Sequence, residues 1–492
     1  MHLGIDLGTS GVKVIVIDDE QRIKAEAISP VSGSISDPPI SEQHPAEWIT
    51  AIERALDQIK SEFPDALGAV EGIGLSGHMH GAVCLDAADH VLRPCIMWND
   101  GRSALECAEL DSKADFRGIA GNLVMAGFTA PKLLWMSKRE PEIFDRISKV
   151  LLPKDYVRLW LSGEFASDMS DASGTLWLDV GRRRWSEELL SACSLDASRM
   201  PRLCEGTEAT GRIRVAHRQR WGFRKGVLVA GGAGDNAAAA CGMGIASDGA
   251  FLSLGTSGVV FAPAGSFRPS AGKAVHTFCH ALPRTWHQMG VILSAANCID
   301  WLASILGLPV DRLLAMLPDK IERPSNVCFL PYLSGVRTPY NDPAAQAMLT
   351  GVTIDTSATD LIQAVLEGVG HALQDCFVAL SEAGTEFEEA YAVGGGARSK
   401  QWLQIIADIT GIRYLVSQKG DYGAAFGAAR LAMAASGRAD LKTILSKPEV
   451  DSVVSPDPSL ADAYALSYEN FVRRYALDSQ ARQDATGSGP IL

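Results

Sequence analysis

The hexapeptide LGTSGV stands twice in this chain, at residues 7–12 and 254–259, half of the 492 residues apart. Both copies sit in the same longer pattern, GIDLGTSGVKVIVID in the first half and GAFLSLGTSGVVFA in the second. Apolar residues alternate on either side of a Gly/Thr/Ser turn, which predicts β-hairpins over residues 2–18 and 250–262. One such turn alone is most simply a hairpin. Six identical residues in matching strand contexts instead point to a duplicated half. Glycine lets backbone approach a ligand closely, and successive N–H groups form an anion-binding concavity. Two facing turns would clamp a polyphosphate, with Thr9 and Ser10 contacting it from one side and Gly255 and Thr256 from the other.

The copies differ where Asp6 precedes the first Leu and Ser253 the second. Asp is disfavoured within a strand pattern, so its presence asks for a reason. A carboxylate beside phosphates suits Mg²⁺, which takes one or two carboxylates plus phosphate oxygens and water. Asp6 is therefore the candidate metal residue, directly or through water, and the serine turn meets phosphate alone.

A chain of this length divides into two or more domains. The boundary is expected near 243, giving units 1–243 and 244–478, with 479–492 as a flexible tail of low apolar content. No Pro- or Ser-rich linker marks the join, so the halves should pack closely around a cleft. The net charge of −13 argues against nucleic acid and anionic membrane surfaces. No apolar run has spanning length, and the first residues enter a strand rather than a leader. Ten unpaired-looking cysteines without a CxxC spacing fit a reducing, cytoplasmic setting.

Three further stretches carry chemistry. VLVAGGAGDNAAAACG places Asp235 just past a strand and at the start of a helix. That position suits a helix cap and equally a general base at the carboxyl end of a strand. The GxGxxA at 232–237 imitates a dinucleotide fingerprint, yet its acidic partner would fall inside the second hairpin, and no GxxxxGK[ST] loop exists. Gly394–Gly395–Gly396 lies between a strand and a helix beginning near Ser399, a geometry that suits a nucleotide. GHMHG (77–81) offers His78, Met79 and His80 in a glycine-bounded loop better suited to a polar small molecule than to a metal. WNDGR (98–102), opening on Trp98, has a sugar-contact composition that a surface turn would share.

Taken together, GIDLGTSGVK, SEQHPAEW, GLSGHMHGAVCLD, WNDGRSALEC, GNLVMAGFTAPKLLW, the long block 150–180, AGGAGDNAA, LSLGTSGV, FLPYLSGVRTP, VGGGARSKQW and GAAFGAARLA resemble the FGGY carbohydrate kinases over nearly the whole chain. The similarity is greatest to the bacterial members that act on xylulose. It implies a duplicated actin-like, ribonuclease-H-like α/β ATPase fold, with ATP and sugar meeting in a cleft between two domains. The implied reaction moves the γ-phosphoryl of ATP to the 5-hydroxyl of D-xylulose, with Mg²⁺. Other ketoses and polyols (ribulose, fuculose, erythritol) stand as alternatives, as does non-kinase use of an actin-like ATPase. By resemblance Asp235 is the base and Asn236 lies beside the sugar. Met79 and His80 contact the substrate, Asp6 supports Mg²⁺ and activity, and Thr256, Gly395 and Gly396 contact ATP. The expected partners are the sugar and ATP, with a homodimer left open. Two positions depart from the family pattern: His78 replaces a Gln near the expected sugar site, and Val336 replaces a Glu.

Overall fold

A computed structural model describes residues 1–417 and 423–486. The first hairpin forms as expected, His2–Leu7 antiparallel to Gly11–Ile17, and the second pairs Phe251–Leu254 with Gly258–Ala264. Each hairpin is the centre of a seven-stranded sheet. In the first sheet His2–Leu7 runs parallel to Gly72–Gly77, which is flanked by Leu228–Ala230; Ile23–Pro30 extends the other side. In the second, Phe251–Leu254 runs parallel to Glu389–Val393, flanked by Arg413–Val416, and Trp286–Ile292 extends the far side. The strand order is the same in both sheets, so the repeated hexapeptide marks a true duplication. Register also explains the local chemistry. Asp6 pairs with Ser76, whereas Ser253 pairs with the apolar Val393.

Each half has its own core. Leu3, Ile5, Val12, Val14, Trp48 and Ile52 are buried in the first, and Leu252, Leu254, Val365, Leu373, Ile405 and Tyr414 in the second. The helix Ala358–Glu382 supplies much of the second core. It opens on a capping box in which Ser357 and Asp360 satisfy each other's backbone donors. Val336 is 3% exposed and belongs to this core, so the position is held by packing and has no use for a charge.

The halves exchange helices. Asp235–Gly242 leaves the first sheet, and its Ala240, with Met243 and Ile245, packs against Phe251, Phe261 and Tyr391 of the second. Ala424–Ala435 returns from the second half to lie on the strands His2–Leu7 and Gly72–Gly77 of the first. The approach is close because glycine is present at each contact: a Cβ on Gly74 would overlap the Ala428 backbone, and one on Gly427 would overlap Ala238 of the opposing helix. The chain crosses between sheets near 243, but packing crosses it again through 424–435.

The tail differs from expectation. The last helix spans Ala461–Thr486 and so runs into the stretch expected as a flexible tail from 479. Arg482 holds it, donating to Asp478 one turn back at 2.8 Å and to Asp342 at 2.7 Å, while the Tyr475 hydroxyl donates to the same Asp342 at 3.0 Å. These partners compensate for the low apolar content. The rest of the expected tail, 487–492, lies outside the described residues. Among the described residues no helix is long and apolar enough to cross a membrane.

Candidate active site

Both turns direct their carbonyls into the protein. In the first, the Thr9 oxygen accepts from Gln43 Nε2 at 2.7 Å and the Ser10 oxygen from Val31 N at 3.0 Å. In the second, the Gly255 and Thr256 oxygens accept from Ala296 N and Ala295 N, both at 2.9 Å. A trans peptide sets its N–H opposite its carbonyl. The amides of Ser10, Thr256 and Ser257 therefore face away from these donors, as an anion site requires.

Gly255, Thr256, Gly395, Gly396 and Ser399 line one cavity of about 1050 Å³. Gly394 has φ +91°, and a Cβ there would press on the Leu254 carbonyl, so the turn is confined to glycine. Gly395 has no heavy atom near its missing Cβ, leaving its backbone open. The Ser399 hydroxyl is engaged as the helix cap, accepting from Trp402 N at 3.3 Å. Motif reading missed Ile299, Asp300, Leu314 and Gln401, which complete the lining. All four come from the helix Ala296–Leu306, the short helix Val310–Leu314 after it, or Lys400–Thr410, and their only signal is amphipathic spacing. Thr9 and Ser10 do not line this cavity; they belong to the first half's side of the site.

There Asp6 and Asp235 come together. Asp6 Oδ1 accepts from Ser76 Oγ at 2.9 Å. Burial pushes its carboxyl up to about 6, the Ser76 bond pulls it back, and the charge of Asp235 raises it further. Asp235 opens the helix Asp235–Gly242, and its Oδ1 accepts from Asn236 N at 2.7 Å and Asn236 Nδ2 at 3.0 Å. Burial raises this carboxyl too, and the two Asn236 donors oppose the rise. Among the described residues no protein donor reaches Asp235 Oδ2. Two neighbouring carboxylates suit a divalent ion, and the charge of Lys13 also acts on Asp6 to favour its ionised form. No cluster of three or more metal-ligating side chains exists among the described residues, so such an ion would depend on phosphate and water for its other ligands.

Met79 and His80 stand beside this pair. Met79 is buried, with its thioether against Gly234, the residue before Asp235, and its methyl against Gly174. His80 has φ +70°, a conformation a non-glycine residue holds only when its surroundings fix it. Its carbonyl accepts from Lys132 Nζ at 2.8 Å and Thr129 Oγ1 at 3.1 Å. Its Nδ1 lies 2.8 Å from the Gly174 carbonyl. A carbonyl only accepts, so Nδ1 carries the proton, and burial holds the ring neutral, down to about 3. Nε2 is left as an acceptor. Trp98 is 44% exposed and donates Nε1 to Thr9 Oγ1 at 3.0 Å, tying the WNDGR loop to the first turn. The other charges of that loop turn inward: Arg102 pairs with Asp100 at 2.7 Å and with Glu42 at 2.7 Å.

His78 corrects the sequence reading. It does not join Met79 and His80 beside Asp235. Its ring packs edge-on against Trp48, centroids 5.6 Å apart, and burial lowers it to about 3. Trp48 Nε1 in turn donates to Gln43, which holds Thr9. The substitution thus supports the first turn from behind.

A buried ion network also escaped motif reading. Lys154 Nζ meets Asp155 at 2.6 Å, Asp168 at 2.8 Å and Asp171 at 3.4 Å, all fully buried. Burial alone would lower Lys154; the three carboxylates outweigh it. Burial, with Asp155 and Asp168, pushes Asp171 well above the carboxylate range. Arg158 donates to the carbonyls of Ala230 and Gly231, and Ser170 Oγ accepts from Gly234 N at 3.1 Å. This network braces the strand end from which Asp235 projects. Its sequence signal was the long block 150–180, which names no role by itself.

Duplicated sheets with exchanged helices, a glycine-lined cavity and a carboxylate pair define a two-domain, actin-like ATPase fold arranged for phosphoryl transfer. Residues 1–242 match the N-terminal domain, and 250–436 the C-terminal domain, of the FGGY family of carbohydrate kinases. The chain belongs to that family. A xylulose kinase of Escherichia coli K12 is 47% identical over 479 residues, covering 96% of this chain and 98% of that protein. One from Klebsiella pneumoniae is 46% identical, covering 97% and 99%. Among solved structures, a protein of Brucella ovis described as a xyloylose kinase is 51% identical with TM-score 0.95, covering 97% and 99%. A xylulose kinase of Rhodospirillum rubrum is 26% identical with TM-score 0.88, covering 97% and 98%.

Proposed function

We propose that this chain transfers the γ-phosphoryl group of ATP to the 5-hydroxyl of D-xylulose. The reading is supported by the near full-length similarity to xylulose kinases. The observation that carries the mechanism is Asp235: a half-buried carboxylate with Oδ1 taken by Asn236 and Oδ2 open, beside the Met79–His80 loop.

Asp235 Oδ2 accepts the proton of the sugar 5-hydroxyl while that oxygen bonds to the γ-phosphorus. The bond from phosphorus to the bridging oxygen breaks, and ADP departs with the electron pair. The raised basicity of this partly desolvated carboxylate favours the proton transfer. The remaining demand is positioning and charge stabilisation, since phosphoryl transfer gives the protein little covalent work. The turn amides of Ser10, Thr256 and Ser257 donate to phosphate oxygens, while Gly395 and Gly396 lie along the nucleoside. Met79 packs on the sugar, and His80 Nε2 accepts from one of its hydroxyls. Asp6 would hold Mg²⁺, directly or through water. The ion, when bound, neutralises phosphate charge. The exchange of helices between halves supports closure of the cleft around both substrates, excluding water as a competing acceptor.

The test is ADP release, measured over a panel of pentuloses and pentitols. The proposal predicts the highest kcat/KM for D-xylulose. A clear preference for another ketose or polyol would reassign the substrate, and absence of ADP release with every member would end the kinase reading.

A further inference from the structure

Among the described residues Arg337 is a cation with no counterion. The backbone on either side of it is fixed. Val336 N donates to the Asp342 carbonyl and the Val336 carbonyl accepts from Asp342 N, both at 2.9 Å. Thr338 N donates to Val291 O at 3.1 Å, and the Thr338 hydroxyl accepts from Val291 N at 3.0 Å and donates to Ala274 O at 2.9 Å. Both flanking side chains are buried, and Arg337 itself is partly exposed. Among the described residues its guanidinium has no ion-pair or hydrogen-bond partner.

The anchors place it. Ala274 leads into the strand His276–Cys279, whose His276 stacks on Phe278 with centroids 5.6 Å apart and meets the Phe128 ring at 5.8 Å. Phe128 meets the His80 ring at 4.6 Å. An aromatic row thus runs from the sugar loop of the first half to the strand beside Arg337 in the second. The charge of Arg337 acts on both His80 and His276, adding to the burial that keeps them neutral. The guanidinium therefore lies near the His80 and His276 rings.

A guanidinium partly withdrawn from water and without protein acceptors is costly, and its partial burial already weakens its hold on the proton. A ligand rich in oxygen acceptors would relieve that cost. We propose that Arg337 is a substrate-binding and specificity residue, donating from the second half to the carbonyl end of the ketose whose 5-hydroxyl meets Asp235. The proposal rests on the sugar-site reading above. Its chemistry complements His80. Nε2 of His80 accepts from a hydroxyl, whereas a ketone oxygen has no proton to give and needs a donor-only group such as guanidinium. A sugar bridging His80 and Arg337 also ties the two halves together.

The experiment compares Arg337→Met and Arg337→Lys with the wild type by calorimetric binding of D-xylulose without ATP. Steady-state kinetics on D-xylulose and xylitol, and thermal melts, accompany it. Loss of a charged hydrogen bond predicts about a ten- to hundredfold rise in KM for D-xylulose in Arg337→Met. KM for ATP should stay unchanged, and the preference for D-xylulose over xylitol should narrow. Arg337→Lys, which keeps charge but loses the fork, should fall between; it also carries the test if the Met variant does not fold. Unchanged D-xylulose binding and unchanged preference in a folded variant overturn the proposal. His80→Ala in the same assays separates the two failures. If it weakens ketose binding while Arg337 variants do not, the site reading stands and the Arg337 role falls. If neither matters, the site reading itself fails.

Discussion

Lys132 Nζ donates to the carbonyl oxygen of His80 at 2.8 Å and to that of Gly127 at 2.7 Å, from a fully buried position. Burial lowers this amine to about 7. In its neutral form it has two N–H donors, matching the two carbonyls. It holds His80 in its positive-φ conformation, so Lys132→Met should raise KM for the ketose by about tenfold, the equivalent of one hydrogen-bond network lost. KM for ATP should not move. A sign follows for stability. From about pH 7 up to the ordinary lysine range of about 10.4, the unfolded chain binds a proton that the native state does not, so this group adds stability as pH rises. The gap in melting temperature between wild type and Lys132→Met should therefore be larger at pH 9 than at pH 7. A gap independent of pH would mean that Lys132 stays charged in the native state.

Asp235→Asn preserves shape and removes the base. General-base loss costs about 10²–10⁴-fold in rate. The expected outcome is a fall in kcat of that order in ADP-release kinetics, with D-xylulose affinity in calorimetry retained. Near-wild-type turnover at saturating ketose would exclude Asp235 as the base.

The duplication was legible because Gly and hydroxyl residues in a tight hairpin turn repeat as a string, and strand alternation flanks them on both sides. The positions of Asp235 and the glycine turn were legible for the same reason: they sit at strand–helix junctions where few residue types fit. Partners that act at long sequence separation were not. Nothing in the string LPKDYV announces that Lys154 will meet Asp168 and Asp171, because that meeting depends on how a helix packs behind a strand end. His78 was misread because adjacency to Met79 and His80 suggested a shared direction. Alternation of side chains sends it to Trp48 instead. The last helix runs into the expected tail because Arg482 and Asp342, 140 residues apart, pair across the surface.

Asp6 makes its prediction through pH. Its carboxyl is raised to about 6, so between about pH 4 and 6 the native state holds a proton that the unfolded chain has released. Stability from this group is therefore present at low pH and lost as pH rises through 6. Asp6→Asn should melt higher than wild type at pH 7.5, and the difference should shrink toward pH 4. Activity should move the other way: the variant should lose turnover and its dependence on Mg²⁺ concentration should weaken. In the wild type, kcat/KM should fall as pH drops through about 6. An unchanged Mg²⁺ dependence in Asp6→Asn would remove the metal role, and a melting difference that grows toward acid would contradict the raised carboxyl.

The exchanged helices make the final prediction. Gly427 faces the Ala238 backbone, and the helix that carries Ala238 begins at Asp235. A methyl group at 427 has no free space and must push the crossing helices apart, an overpacking cost of about 1–3 kcal/mol. That shift is transmitted along one rigid helix of two turns to the carboxylate at its start. Gly427→Ala should therefore lower the melting temperature and reduce kcat more than it raises KM for ATP, whose cavity is lined by other elements. Thermal melts and steady-state kinetics on the full chain check both parts. A variant that melts lower yet keeps full kcat would show that the helix contact serves stability alone, and one that matches wild type in both would mean the helices do not pack this closely.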